Sequence, residues 1–187
     1  MSKVTLITGG ARSGKSTFAE ELVAEKGDKI LYIATAKAID DEMKDRIRRH
    51  RERRPDDWDT LEQYSGLGAV LPERSRDYDA ILLDCVTIMS TNIIFDIPAM
   101  QQAEIPLEDM FRAEKVLVDE VDRMIAAFPE LQCDLVLVTN EVGLGLVPEY
   151  PISRFYRDAL GRVNQALGRA ADEVFFVTCG IPQKIKG

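Results

Sequence analysis

The sequence predicts an α/β fold of the P-loop NTPase type, a mostly parallel sheet flanked by helices on both faces. Three observations predict it. Short apolar runs rich in Val, Ile and Leu recur along the chain, and a strand covered on both faces is almost continuously apolar. Helical segments separate these runs, and strand–helix–strand order within one sheet demands parallel strands. The first run leads into Gly9-Gly10-Ala11-Arg12-Ser13-Gly14-Lys15-Ser16, a phosphate-loop pattern between strand and helix.

In order, Val4 to Thr8 reads as the first strand and Lys15 to Glu25 as the helix that the loop opens. Lys29 to Thr35 is the next strand. Asp40 to Arg54 reads as a helix with Asp40 or Asp41 at its start and Pro55 beyond its end. Ser65 to Glu73 reads as a helix, Asp79 to Asp84 as a strand and Val86 to Phe95 as a helix. Asp96 to Pro106 carries two prolines and little periodicity, as expected of a loop or contact surface. Leu107, Met110, Phe111, Leu117, Val118, Val121, Met124, Ile125 and Phe128 then recur at three- and four-residue steps. They predict a long amphipathic helix ending near Pro129, with the stripe as core. Asp134 to Thr139, Ser153 to Ala171 and Glu173 to Cys179 complete the pattern as strand, helix and strand.

The length of 187 residues suits one nucleotide-binding domain spanning 1–187. No stretch approaches the roughly 20 apolar residues of a membrane span. Met1-Ser2-Lys3 runs straight into the first strand, which leaves no room for a signal peptide and predicts a cytoplasmic protein. Cys85, Cys133 and Cys179 are odd in number, widely spaced and set in apolar segments, so they read as buried free thiols. A net charge of −8 argues against nucleic-acid binding, which depends on Lys and Arg neutralising phosphates.

In the phosphate loop, Gly9, Gly10 and Gly14 permit unusual dihedrals and close approach, so backbone amides surround a phosphate. The helix beginning near Lys15 points the positive end of its dipole at the same group. Lys15 is expected to reach the β- and γ-phosphate oxygens and the Ser16 hydroxyl to ligate Mg2+. Such a site also needs a carboxylate at the end of a nearby strand, and Ile81-Leu82-Leu83-Asp84 supplies it. An apolar run closing with Asp is also a common strand end or helix cap, here before Val86, and the strong phosphate loop favours the metal-positioning reading.

Between Arg46 and Arg54 lie six arginines and the chain's only histidine, His50. On a helix Arg46 and Arg54 stand one turn either side of His50, with Arg53 three residues on. Such cations disfavour imidazole protonation and keep the ring nucleophilic, and they would hold a triphosphate and a pyrophosphate leaving group. From charge pattern alone, a solvated basic helix with an incidental histidine is the better reading.

Further marks are Leu31-Tyr32-Ile33-Ala34-Thr35-Ala36, Asp41-Glu42-Met43, Arg46 to Arg51, Arg54-Pro55 and Trp58 to Glu62. Others are Leu83-Asp84-Cys85, Thr91-Asn92, Thr139-Asn140-Glu141-Val142-Gly143, Gly145, Val147-Pro148-Glu149, Phe155 to Asp158, Gly161 to Gln165 and Lys184 to Lys186. With the phosphate loop, these make the chain resemble the bifunctional adenosylcobinamide kinase / adenosylcobinamide-phosphate guanylyltransferase family of cobalamin assembly over essentially its whole length. The resemblance implies that His50 becomes guanylylated. It also implies that Gly9 to Ser16, Ala34, Thr35, Ala36, Arg51, Glu52, Arg53, Arg54, Glu62 and Asp84 contact GTP. It implies GTP or ATP and a corrinoid as substrates, and a homotrimer. Asn140, Glu141 and Arg157 lie near strand ends or on the following helix, where open α/β sheets bind ligands, and carry no assigned role. Two other classes share the loop: a simple P-loop kinase with no need of His50, and a nucleotide-gated RNA-binding module, which the acidic charge disfavours.

Overall fold

The computed structural model describes residues 2–37, 41–52, 55 and 57–187, and only the backbone at 42, 43, 46, 47, 49 and 50. Arg53 and Arg54 lie outside the described residues, as does the side chain of His50.

The described strands are β1 (Val4–Gly9), β2 (Ile30–Ala34), β3 (Asp59–Glu62), β4 (Ala80–Asp84), β5 (Asp134–Val138), β6 (Glu173–Thr178) and β7 (Ile181–Lys186). They form one sheet in the order β3-β2-β4-β5-β1-β6-β7, parallel throughout except for the β6–β7 pair. The helices are α1 (Lys15–Ala24), α2 (Asp41–Glu52), α3 (Leu67–Arg74), α4 (Val86–Phe95), α5 (Leu107–Ala126) and α6 (Pro151–Ala170).

Alternation along the strands divides the core in two. Leu6, Leu31, Ile33, Ile81, Leu83, Leu135 and Leu137 face the layer built from α3, α4, α5 and α6. Ile7, Ile30, Tyr32, Leu82, Val136 and Val138 face α1 through Ala19 and Val23. The two-faced parallel sheet expected from the sequence is the one observed.

Several details depart from that expectation. β3 and β7 are additional strands, and a 3-10 turn at Pro98–Gln101 interrupts the expected loop. α6 starts two residues early because Pro151, with no N–H to lose, sits in the first helical turn. α3 starts at Leu67, after Gly66 at φ 72. The α5 stripe buries Met110, Leu117, Val121 and Met124 but leaves Leu107 and Phe111 exposed, so its first turn overhangs the core. The reading of three buried thiols is corrected for Cys179: Cys85 and Cys133 are buried, whereas Cys179 is exposed. At φ 54 it forms the turn with Gly180 after β6 has ended, which carries its side chain out of the sheet.

Candidate active site

The C-terminal ends of the parallel strands collect the predicted groups along one edge of the sheet. Ala34 of β2 is in register with Glu62 of β3 on one side and Asp84 of β4 on the other. Asp84 is in register with Val138 of β5, which pairs in turn with Ile7 of β1, two residues before the phosphate loop.

The loop owes its shape to particular contacts. A Cβ on Gly9 would stand 2.4 Å from the Val177 carbonyl oxygen and 2.7 Å from Ser13 Oγ, so no other residue fits there. Gly14 takes φ +96 and approaches Gly180, whose N–H donates to the Ser13 carbonyl at 2.8 Å. Arg12 adopts the left-handed region at φ 56, strain of the kind that collects at ligand clamps. Lys15 is buried and its Nζ donates to the Gly10 carbonyl at 3.1 Å, folding the cation back over the loop. Ser13 Oγ is buried without a hydrogen-bond partner among the described residues. An orphaned hydroxyl inside an anion-binding loop fits a phosphate oxygen as its missing partner.

Asp84 is a strand-end carboxylate and not a helix cap. The cap of α4 is Cys85, whose Sγ accepts from the Ile88 N–H at 3.5 Å. The Asp84 carboxylate instead accepts from Tyr32 Oη at 3.2 Å. Tyr32 lies two residues before Ala34 on β2 and belongs to the α1 side of the core, so it holds Asp84 on the face from which the phosphate loop leaves. Thr35, 1 % exposed, ties the two strand ends together. Its hydroxyl donates to the Cys85 carbonyl at 2.8 Å and accepts from the Cys85 N–H at 2.9 Å, beside the cis Asp84–Cys85 peptide. Asn92 of α4 donates to the Thr35 carbonyl at 2.7 Å.

Among the described residues no cluster of three or more His, Cys, Asp or Glu is arranged for a metal. Mg2+ held with a nucleotide needs much less protein: one or two hard oxygen ligands, with phosphates and water completing the octahedron. The half-buried Ser16 at the start of α1 and Asp84 are of the right chemistry for that set.

A polar network that sequence reasoning did not find lies behind this edge. The Thr139 hydroxyl donates to Asn164 Oδ1 at 2.8 Å and meets Thr87 Oγ1 at 3.3 Å. Tyr156 Oη donates to the Thr87 carbonyl at 2.9 Å, and burial pushes its pKa up to about 12, so it remains a protonated donor. Thr139, Asn140, Tyr156 and Asn164 all fall within stretches marked in the sequence, but no spacing along the chain links them to one another or to Thr87. Glu141 spends one carboxylate oxygen on the Gly143 N–H at 2.6 Å, and Arg157 pairs with Asp158 at 3.3 Å.

The arginine helix is present as α2, ending at Glu52. Arg48 bridges Asp45 and Glu52 on its exposed surface. Among the described residues no hydrogen bond or ion pair joins Arg51 or Glu52 to the phosphate loop.

Residues 5–185 match the family model described as cobinamide kinase / cobinamide phosphate guanyltransferase. The chain belongs to this family. Within the cobinamide kinase / cobinamide phosphate guanyltransferase family it is 45% identical, over 97% of its own length and 98% of the relative's, to the bifunctional adenosylcobalamin biosynthesis protein CobU of Salmonella typhimurium. It is 44% identical to CobU of Escherichia coli, over 97% of this chain and 98% of that one. It is 40% identical to the bifunctional adenosylcobalamin biosynthesis protein CobP of Pseudomonas aeruginosa, over 97% and 96%. The mostly parallel seven-stranded sheet agrees with the P-loop NTPase fold of this family.

Proposed function

We propose that the protein phosphorylates adenosylcobinamide with a nucleoside triphosphate and then transfers GMP from GTP to adenosylcobinamide phosphate, giving adenosylcobinamide-GDP. The observation that carries this reading is the family match over residues 5–185 on a chain whose phosphate loop and Asp84 lie along one edge of the sheet, on strands that flank β5. All of 1–187 serves as one domain.

In the first reaction the loop amides and Lys15 hold the β- and γ-phosphates, and the acceptor hydroxyl on the corrinoid side arm takes the γ-phosphoryl group. Catalysis of this transfer is chiefly positioning and charge stabilisation. Ser16 and Asp84 would hold Mg2+, which neutralises charge on the phosphate oxygens when bound.

In the second reaction a ring nitrogen of His50 attacks the α-phosphorus of GTP. The N–P bond forms as the bond from the α-phosphorus to the bridging oxygen breaks, and pyrophosphate leaves. A phosphate oxygen of adenosylcobinamide phosphate then displaces the histidine and takes the GMP. The covalent intermediate divides one difficult displacement between two easier ones. Ala34, Thr35, Ala36, Arg51, Glu52, Arg53, Arg54 and Glu62 contact GTP in this reading, which for these residues rests on the resemblance.

We also propose a cytoplasmic homotrimer acting on small molecules. The exposed side chains of Leu144, Leu146, Val147 and Tyr150 give apolar surface suited to such an assembly. No described helix is long and apolar enough to cross a membrane.

Supplying γ-labelled GTP or ATP with adenosylcobinamide tests the first reaction. Label in a corrinoid product is expected, and its absence with both donors, from protein that binds nucleotide, would contradict the kinase half.

A further inference from the structure

Asn140 stands just beyond β5, the strand between β4, which ends in Asp84, and β1, which runs into the phosphate loop. Its backbone is fixed from both sides. The N–H donates to Thr87 Oγ1 at 2.7 Å, and the carbonyl accepts from Asn164 Nδ2 at 3.0 Å. The flanking amides continue the ladder with β1: Thr139 N–H donates to the Ile7 carbonyl at 2.9 Å and Glu141 N–H to the Gly9 carbonyl at 3.0 Å.

Side chains of an extended segment alternate between faces. The Thr139 side chain takes the α4 and α6 face, where its hydroxyl meets Thr87 and Asn164. Asn140 therefore turns to the α1 face, the face of Val138, of Tyr32 and of the carboxylate that Tyr32 holds. Its carboxamide takes part in no hydrogen bond among the described residues, although the residue is half-buried and its backbone is fully engaged. Val138 is in register with Asp84, so Asn140 lies one strand across and two residues up. Strand spacing and rise put the two Cα atoms roughly 8 Å apart, room for one phosphoryl group between them.

We propose that Asn140 is a catalytic residue for γ-phosphoryl transfer, its carboxamide N–H donating to an oxygen of the transferred group and aligning it for in-line displacement. In that step the bond from the γ-phosphorus to the β-bridging oxygen breaks as the bond to the acceptor hydroxyl oxygen forms, and the hydroxyl proton is released to solvent. Lys15 supplies charge and Asn140 supplies direction. Attack at the α-phosphorus, two phosphates removed, makes no use of Asn140.

The inference rests on the proposed kinase activity. Its test compares wild type, Asn140→Ala and the similarly sized, uncharged Asn140→Leu in γ-phosphoryl transfer to adenosylcobinamide and in GMP transfer, with denaturation midpoints alongside. Removing one donor aimed at a developing charge costs roughly 100- to 1,000-fold in kcat. That loss is expected in the kinase reaction of both variants, with nucleotide KM changed less than about threefold and GMP transfer near the wild-type rate. Should the alanine variant lose its fold, Asn140→Leu carries the same comparison. Wild-type turnover with unaffected variants, or an equal loss in both reactions, overturns this inference alone; no wild-type kinase turnover overturns the underlying reading and this one with it.

Discussion

Thr35 and Cys85 are joined by a reciprocal pair of hydrogen bonds, hydroxyl to carbonyl at 2.8 Å and N–H to hydroxyl at 2.9 Å, that pins the end of β2 to the residue after Asp84. One side chain thus engages both backbone groups of a buried residue next to the strand-end carboxylate, the carbonyl also accepting from the Met89 N–H at 3.0 Å.

Thr35→Val keeps the shape and removes both bonds. The Cys85 carbonyl still accepts from the Met89 N–H at 3.0 Å, so the cost falls on the Cys85 N–H, and a loss of about 1–3 kcal/mol in urea unfolding is expected, with the slope unchanged. A change below about 0.5 kcal/mol would show that the staple is dispensable.

Gly9 and Gly10 are adjacent in the loop, yet their predicted sensitivities differ. A methyl group on Gly9 collides with the Val177 carbonyl oxygen at 2.4 Å, whereas one on Gly10 meets nothing within 4 Å. Gly9→Ala is expected to cost about 1–3 kcal/mol. Gly10→Ala should leave the denaturation midpoint unchanged, and any fall in its nucleotide affinity then measures how closely phosphate approaches that backbone. Equal destabilisation of the two variants would contradict the loop geometry.

Lys37, Tyr64 and Asp96 form a cluster at the same sheet edge. Lys37 Nζ donates to Asp96 Oδ1 at 2.5 Å, Tyr64 Oη donates to Asp96 Oδ2 at 2.6 Å, and the ammonium lies 4.3 Å from the Tyr64 ring centre. The Lys37 bond, then the Tyr64 bond, hold the Asp96 carboxyl below its ordinary 3.8. A depressed folded-state pKa gives stability that is present above the unfolded value and lost as pH falls through the folded one. The stability difference between wild type and Asp96→Asn should therefore be steady above about pH 5 and fade below 3.8. A difference that persists unchanged into acid would show that the carboxylate's charge is not what the cluster uses.

Much of this architecture is legible in the sequence because β1, β2, β4, β5 and β6 are apolar runs, while α5 repeats its buried residues at helical spacing. β3 and β7 are not legible, because edge strands need little apolar character. Asp59–Glu62 is mostly exposed, and Ile181–Lys186 carries a proline and two lysines and is exposed throughout. β7 is fixed by tertiary contacts, including Lys186 Nζ donating to the Gly168, Arg169 and Ala171 carbonyls at the end of α6. At the site, the phosphate-loop pattern is readable from spacing, whereas Asp84 as a strand end and not the α4 cap is decided only by the structure, in which Cys85 caps that helix. The roles of Thr35, Thr139, Asn140 and Asn164 arise only when four separate elements meet.

The central claim is a GMP carried on His50. Purified protein and its His50→Ala variant, incubated with magnesium and α-labelled GTP, give the most direct test. The expected result is protein-bound label that is acid-labile and alkali-stable on the wild type and absent from the variant. Wild-type protein that binds GTP but takes no label, or an equally labelled variant, would contradict the account.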